Sequence, residues 1–256
     1  MEIEVIPCLS DNYAYLVASP AGHAVVVDPS EAAPVQAALA RRGLTLVGIW
    51  ATHHHRDHVG GVSGLLQNFR GLEVLGSAYD ADRQRIAGLT RALHPGDPVW
   101  FQSLRVRLLF VPGHTLGAVA YLCEGALFSG DTLFGAGCGR IFEGTPAVMQ
   151  SSLACLRALP ADTRLYCGHE YTEQNLLFAR SIEPHNAAIA ERQARVHERR
   201  AAGRPSVPST LEEECATNPF LRWDVPAVIA KALELGADSA APVDVFAALR
   251  RAKDNH

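Results

Sequence analysis

No run in the 256-residue chain approaches the roughly 20 apolar residues that a bilayer crossing requires. The best stretches, 24–27 and 108–111, stop within a few positions, so a membrane span is excluded. Glu2 and Glu4 stand where a secretory signal carries Lys or Arg, and a cytoplasmic location is expected. There is no cationic excess: Lys+Arg 23 against Asp+Glu 27 leaves a formal charge of -4. Without a global positive field, nucleic acid is not an expected partner. None of the six cysteines (Cys8, Cys123, Cys138, Cys155, Cys167, Cys215) belongs to a Cys-x-x-Cys pair. That fits reduced, buried thiols rather than a disulfide framework, and Cys167, beside Gly168 and His169, is read as packing too. Internal repeats and low-complexity tracts are also absent. What remains, 48% hydrophobic and 20% charged residues, excludes disorder and suits a chain with a buried core.

Over the first two thirds, short apolar runs alternate with turn residues. Residues 24–27 read as a buried strand ending at Asp28-Pro29, 35–39 as the apolar side of a helix stopped by Gly43, and 46–50 as the next strand. Residues 62–69 have helical spacing and 72–75 are strand-like, while 99–111, 118–123 and 126–128 form strands separated by Gly and Pro. A helix near 147–159 leads into a strand at 164–167. The mixture predicts a layered α/β or α+β architecture, sheet inside and helices outside. After about residue 171 the strand-like runs vanish, and Ala, Glu and Arg dominate 172–202 and 226–253. A smaller all-helical domain, 171–256, is therefore expected behind a mixed domain, 1–170. Arg192, Arg195, Arg199, Arg200 and Arg204, with Glu191 and Glu198 among them, read as a solvated helix face.

One segment dominates the chemistry: Thr52-His53-His54-His55-Arg56-Asp57-His58, directly after the strand 46–50. In extended backbone, residues two apart share a face, so His53 and His55 can meet one ion while His54 faces elsewhere. A turn toward the following helix aims Asp57 and His58 at a second point, as a dinuclear site requires. Burying so many ionisable groups without a cation is costly. By contrast, His23, His94, His185, His197 and His256 lack clustered partners and are read as ordinary core or surface histidines. Three further candidates each follow an apolar strand and a glycine: His114 in Pro-Gly-His-Thr, Asp131 in Ser-Gly-Asp-Thr and His169 in Gly-His-Glu. The total, five imidazoles and two carboxylates, fills two sites when one carboxylate bridges, whereas a closed structural zinc site uses fewer ligands and usually Cys. Such a set accepts zinc, iron or manganese.

In that order, T-H-x-H-x-D-H, P-G-H-T, S-G-D-T and G-H-E resemble the metallo-β-lactamase superfamily of binuclear hydrolases. The resemblance implies a four-layer αβ/βα sandwich with two divalent ions, zinc foremost. It assigns His53, His55 and His114 to one ion, Asp57, His58 and His169 to the other, and Asp131 to both. Asp57 and Asp131 would serve as catalytic carboxylates around a metal-bridging hydroxide. Ser10-Asp-Asn-Tyr-Ala-Tyr15, the segment 137–144, Gly168-His-Glu-Tyr-Thr172, Thr217-Asn-Pro-Phe-Leu-Arg222 and Arg250-Arg-Ala-Lys-Asp254 are similar to the glyoxalase II (hydroxyacylglutathione hydrolase) family. This implies an enzyme that hydrolyses S-D-lactoylglutathione to glutathione and D-lactate in methylglyoxal detoxification, and a monomer is expected. Arg140, Phe142, Tyr171, Arg250 and Lys253 would bind the glutathione, and truncation of 249–256 would weaken saturation without touching the chemistry. Phe142 stands where the family often has Tyr, Arg140 where some members have Lys, and Ala118 where relatives commonly have His. These departures bear on affinity and spare all seven ligands. A sulfur dioxygenase of the same fold, acting on glutathione persulfide, is the alternative; such proteins generally lack a helical region after the last ligand.

Overall fold

The computed structural model describes all 256 residues, Met1–His256. They form two compact units, Met1–Phe110 with Gly117–Gly130, and Val111–Leu116 with Asp131–His256. The change of sequence texture near residue 171 falls inside the second.

In the first unit β1 (Glu2–Cys8), β2 (Asn12–Ala18), β3 (His23–Val27), β4 (Thr45–Trp50), β5 (Glu73–Ser77) and β6 (Arg91–Leu93) hydrogen-bond in chain order. The first three run antiparallel and the rest parallel. Parallel neighbours need crossovers, and these carry α1 (Ala32–Arg42), α2 (Arg56–Val59), α3 (Val62–Asn68) and α4 (Ala78–Asp82). Ala24, Val26 and Ile49 pack against Val35, Leu39 and Leu65 of the helices. A second layer, β7 (Val99–Phe101), β8 (Leu104–Phe110), β9 (Val119–Cys123) and β10 (Ala126–Gly130), pairs antiparallel in that order. Across the gap Trp50 stacks on Tyr121 at 5.2 Å and meets Phe101 and Phe128 edge-on. With helices on one face and strands on the other, β3 and β4 are buried on both sides, which is why they read as continuous apolar runs. β1 and β2 escape the sequence reading. β2 is buried throughout, yet its Asn12, Tyr13 and Tyr15 break the apolar run that would mark it.

The second unit begins, after His114, with a hairpin of β11 (Leu133–Phe134) and β12 (Gly137–Cys138). Then come α5 (Pro146–Arg157), β13 (Arg164–Cys167), α6 (Thr172–Ile182), α7 (Ala187–Ala201), β14 (Ser209–Thr210), α8 (Leu211–Thr217), α9 (Pro226–Glu234) and α10 (Pro242–Asp254). The helical stretch expected at 172–202 is two helices. Pro184 cannot continue α6, and the Asn186 side chain caps α7 by accepting from Ala188 N–H. The arginine-rich face is not solvated throughout: Arg192 is only 2% exposed and is paired with Glu214. Truncation at 249 also reads differently in the structure. Leu249 is fully buried, so removing 249–256 would take core with it and report on folding as much as on binding. No helix is long and apolar enough to cross a membrane.

Candidate metal centre

The histidine cluster leaves the carboxyl end of β4, beside the end of the parallel strand β3. His53 Nε2 lies 3.1 Å from His55 Nδ1, and the rings of His53 and His58 are 4.2 Å apart. The single turn of α2 supplies Asp57 and His58, with Asp57 Oδ2 3.6 Å from His58 Nε2. His54 is turned away, its Nδ1 3.3 Å from Oδ1 of the fully buried Asp80. Asn12 of β2 donates from Nδ2 to the carbonyl of Asp57 at 3.0 Å and to its Oδ2 at 3.1 Å, which holds that carboxylate in one orientation.

Behind the histidines stands Asp28, a residue the motif pattern does not single out. Asp28 closes β3 with a left-handed φ of 47°, a conformation Asp tolerates better than most residues. Its carboxylate accepts from Thr52 N–H (2.7 Å), Thr52 Oγ1 (2.6 Å) and His58 Nδ1 (2.9 Å). Because Thr52 gives its hydroxyl proton to Asp28, the same oxygen is left to accept from His53 Nδ1 at 3.0 Å. Both imidazoles therefore carry their proton on Nδ1 and present an Nε2 lone pair, the form a metal requires. Asp28, His53 and His58 offer atoms within 4.8 Å of one another, but the two Asp28 oxygens are already engaged, so Asp28 orients ligands rather than serving as one. Gly130 makes room for the device. At φ +50° it sits so close that a Cβ would lie 2.2 Å from Thr52 Oγ1.

In the second unit one carboxylate oxygen gathers two imidazoles: Asp131 Oδ2 is 3.4 Å from His114 Nε2 and 3.3 Å from His169 Nε2. All three residues are buried. His114 Nδ1 is 2.8 Å from the carbonyl of Arg140, which can only accept, so the Nδ1 proton is fixed and Nε2 is the atom turned toward the carboxylate. Two imidazole Nε2 atoms around one carboxylate oxygen call for positive charge between them, which a metal ion supplies. The donor chemistry thus fits a divalent ion. His169 stacks on Tyr171 at 4.7 Å with Phe134 edge-on at 5.9 Å. Cys167 donates from Sγ to the His169 carbonyl; burial pushes its pKa up to about 12, so it is a protonated packing thiol.

The remaining sequence candidates lie at the opposite end of the second unit's chain or on its surface. Phe142 is exposed, with its ring 5.2 Å from His114. Arg140 reaches Asp254 through Nε at 3.3 Å. Arg250 points inward: 8% exposed, it donates to the Cys138 carbonyl at 2.8 Å and to Asp254 at 3.0 Å. Lys253 lies over the Phe178 ring at 5.4 Å, and burial, reinforced by the neighbouring Arg250 charge, lowers its pKa.

Comparison with known proteins gives the family and the fold. The profile of the "Metallo-beta-lactamase superfamily" matches residues 10–169, and that of "Hydroxyacylglutathione hydrolase C-terminus" matches residues 170–256. The hydroxyacylglutathione hydrolase of Cupriavidus taiwanensis is 49% identical over 269 residues, covering 100% of this chain and 99% of that protein. Among solved structures, the BLEG-1 B3 metallo-beta-lactamase superposes with a TM-score of 0.67 at 22% identity, covering 86% of this chain and 100% of its own, a likeness of fold. TTHA1623 in a di-iron-bound form has a TM-score of 0.60 at 26% identity, over 86% of this chain and 100% of its own.

Proposed function

The chain belongs to the hydroxyacylglutathione hydrolases of the metallo-beta-lactamase superfamily, and from that premise we propose how its residues divide the work. It is a thioester hydrolase that releases glutathione and a 2-hydroxy acid from S-(2-hydroxyacyl)glutathione, and it uses divalent metal. S-D-lactoylglutathione is the principal substrate in our reading. We take 1–170 as the metal domain and 171–256 as the glutathione-binding domain, acting as a cytoplasmic monomer whose single chain carries every ligand.

Two ions, zinc in the first instance, would be held by His53, His55 and His114, and by Asp57, His58 and His169, with Asp131 contributing to both. The observation that carries this reading is the Asp131 oxygen set between His114 and His169; the two irons of TTHA1623 support the count. Such ions lower the pKa of bound water toward neutrality and polarise the thioester carbonyl. The chain's own groups do the rest. Asn12 steadies Asp57, whose carboxylate would accept the proton given up by the attacking water. Phe142 and Tyr171 provide aromatic walls beside His114 and His169. Arg140 and Lys253 meet the carboxylates of the peptide, while Arg250 holds their support by tying Cys138 to Asp254. Steady-state hydrolysis of a panel of acyl glutathiones, with elemental analysis of the same preparation, tests the assignment. Activity confined to simple thioesters would contradict it.

Two results follow. His54→Ala is expected to keep nearly full metal content, because His54 pairs with Asp80, whereas His53→Ala loses it; elemental analysis compares them. Lys253→Ala is expected to raise KM and leave kcat nearly unchanged, since a charge that contacts substrate and transition state alike supplies uniform binding. A hydrogen bond to a charged group contributes about 1.5–3 kcal/mol, so kcat/KM falls roughly ten- to a hundredfold. A thioester without glutathione carboxylates should be unaffected, and an equal loss on both substrates would mean that Lys253 supports the fold.

A further inference from the structure

Arg192 of α7 and Glu214 of α8 form a charge pair that is almost wholly buried, at 2% and 0% exposure. Burial disfavours the Arg192 cation, but Glu214, by charge and hydrogen bond, and Glu213 outweigh it and hold its pKa above the ordinary value. Apolar replacement of such pairs is often neutral or stabilising, so stability alone does not explain the arrangement. Glu214 does something else with its second oxygen. Oε2 accepts Ala136 N–H at 2.8 Å and Asn218 Nδ2 at 3.2 Å. Asn218 Nδ2 in turn reaches the carbonyls of Gly137 (2.9 Å) and Phe134 (3.3 Å), and Asn175 Nδ2 reaches that of Gly135 at 3.0 Å. The tip of the β11–β12 hairpin is thus held by side chains rather than by strands.

That tip is strained. Ala136 has a left-handed φ of 54°, which costs a non-glycine residue on the order of 1–3 kcal/mol and persists only where the surroundings over-determine it. The hairpin joins Asp131 to Arg140, whose carbonyl sets the His114 proton. Its two ends touch through Gly139, where a Cβ would lie 1.9 Å from the Asp131 carbonyl oxygen. Displacing the tip therefore moves both the carboxylate and the acceptor that fixes the tautomer of His114.

We propose that Glu214, neutralised by Arg192 and seconded by Asn218, is a positioning residue for the metal centre: by clamping Ala136 N–H it sets Asp131 and, through the Arg140 carbonyl, the ligating form of His114. The inference rests on Asp131 and His114 being ligands. Two double variants isolate the clamp, because both remove the charge pair as a unit. Arg192→Met with Glu214→Gln retains an acceptor for Ala136 N–H, and Arg192→Met with Glu214→Leu does not. The measurements are metal retention against a chelator, kcat and KM, melting temperature, and amide exchange over 133–140. The glutamine pair should stay close to the parent protein. The leucine pair should hold metal roughly ten- to a hundredfold more weakly, the range seen when groups that orient ligands are lost. Its kcat should fall in proportion with KM little changed, and the Ala136 amide should exchange faster. Equal metal retention in the two doubles overturns the proposal. If the leucine pair does not fold, Asn218→Ala, which leaves the charges in place, must weaken metal binding and speed exchange at the tip; unchanged retention there overturns it equally. Asp131→Ala run alongside separates the two readings. Metal lost there but kept in the leucine pair defeats the clamp alone, and metal kept in both defeats the ligand assignment with it.

Discussion

Asp131→Ala is expected to strip the protein of bound metal and to abolish turnover in the same step. The carboxylate is buried, and its Oδ2 is the common neighbour of His114 Nε2 and His169 Nε2. Assigned to both ions, it is the one ligand whose loss weakens two sites at once. Metal activation of water and carbonyl contributes several kcal/mol to the barrier, and each 1.36 kcal/mol is tenfold in rate, so kcat should fall by roughly a thousandfold or more. Asp131→Asn keeps the shape but removes the charge, and its amide hydrogens compete for the imidazole lone pairs. It should lose metal nearly as completely as the alanine variant. Elemental analysis beside circular dichroism checks both: a folded Asp131→Ala protein with full metal content would show that the carboxylate is not a shared ligand.

Asp28 produces an effect of comparable size by another route, and two substitutions separate its parts. Asp28→Ala leaves Thr52 N–H, the Thr52 hydroxyl and His58 Nδ1–H without their acceptor. An unsatisfied buried donor costs about 1–3 kcal/mol, so three together consume a large share of the roughly 5–15 kcal/mol that holds a domain folded. A greatly lowered melting temperature, or no folded protein, is the expected result. Asp28→Asn is gentler, since Asn tolerates the left-handed backbone and its carbonyl can still accept from Thr52 N–H. Its amide hydrogens, however, now face Thr52 Oγ1 and His58 Nδ1. The proton of His58 is driven to Nε2, the atom meant for the ion, and metal affinity should drop roughly ten- to a hundredfold. Chelator competition and a thermal melt on the same sample test this. Wild-type affinity in a folded Asp28→Asn protein would mean that Asp28 serves packing only.

Why Asp28 is invisible to sequence inspection while His53, His55, Asp57 and His58 are conspicuous is a matter of chain distance. The histidines and Asp57 lie within six positions, close enough for backbone periodicity to say which side chains can converge. Asp28 acts on Thr52 and His58 from 24 and 30 residues away, and only the parallel pairing of β3 with β4 puts it there. The strands around it are legible for the opposite reason. Val25, Val26 and Val27, or Ile49 and Trp50, are apolar on both faces because both faces are covered. β2 is covered just as fully but carries Asn12 and two tyrosines, and nothing local reveals that Asn12 is spent on Asp57.

Arg192 marks the same boundary within the helices. Charge density along 190–204 predicts a wet surface, and for Arg195 and Arg204 that holds in part, as both flank solvent. Arg192 has the same neighbours in sequence but faces Glu214, so its burial depends on where α8 packs. Short-range chemistry, then, is written into the residues themselves. Apolar runs specify strands, a proline ends a helix, and clustered imidazoles after a strand require a cation. The tautomers of His58 and His114, the orientation of Asp57 and the hold on the β11–β12 hairpin belong to the packed molecule. Each depends on a hydrogen bond between residues tens of positions apart, and such a bond forms only after the entropy of closing the intervening loop has been met by the burial of the core.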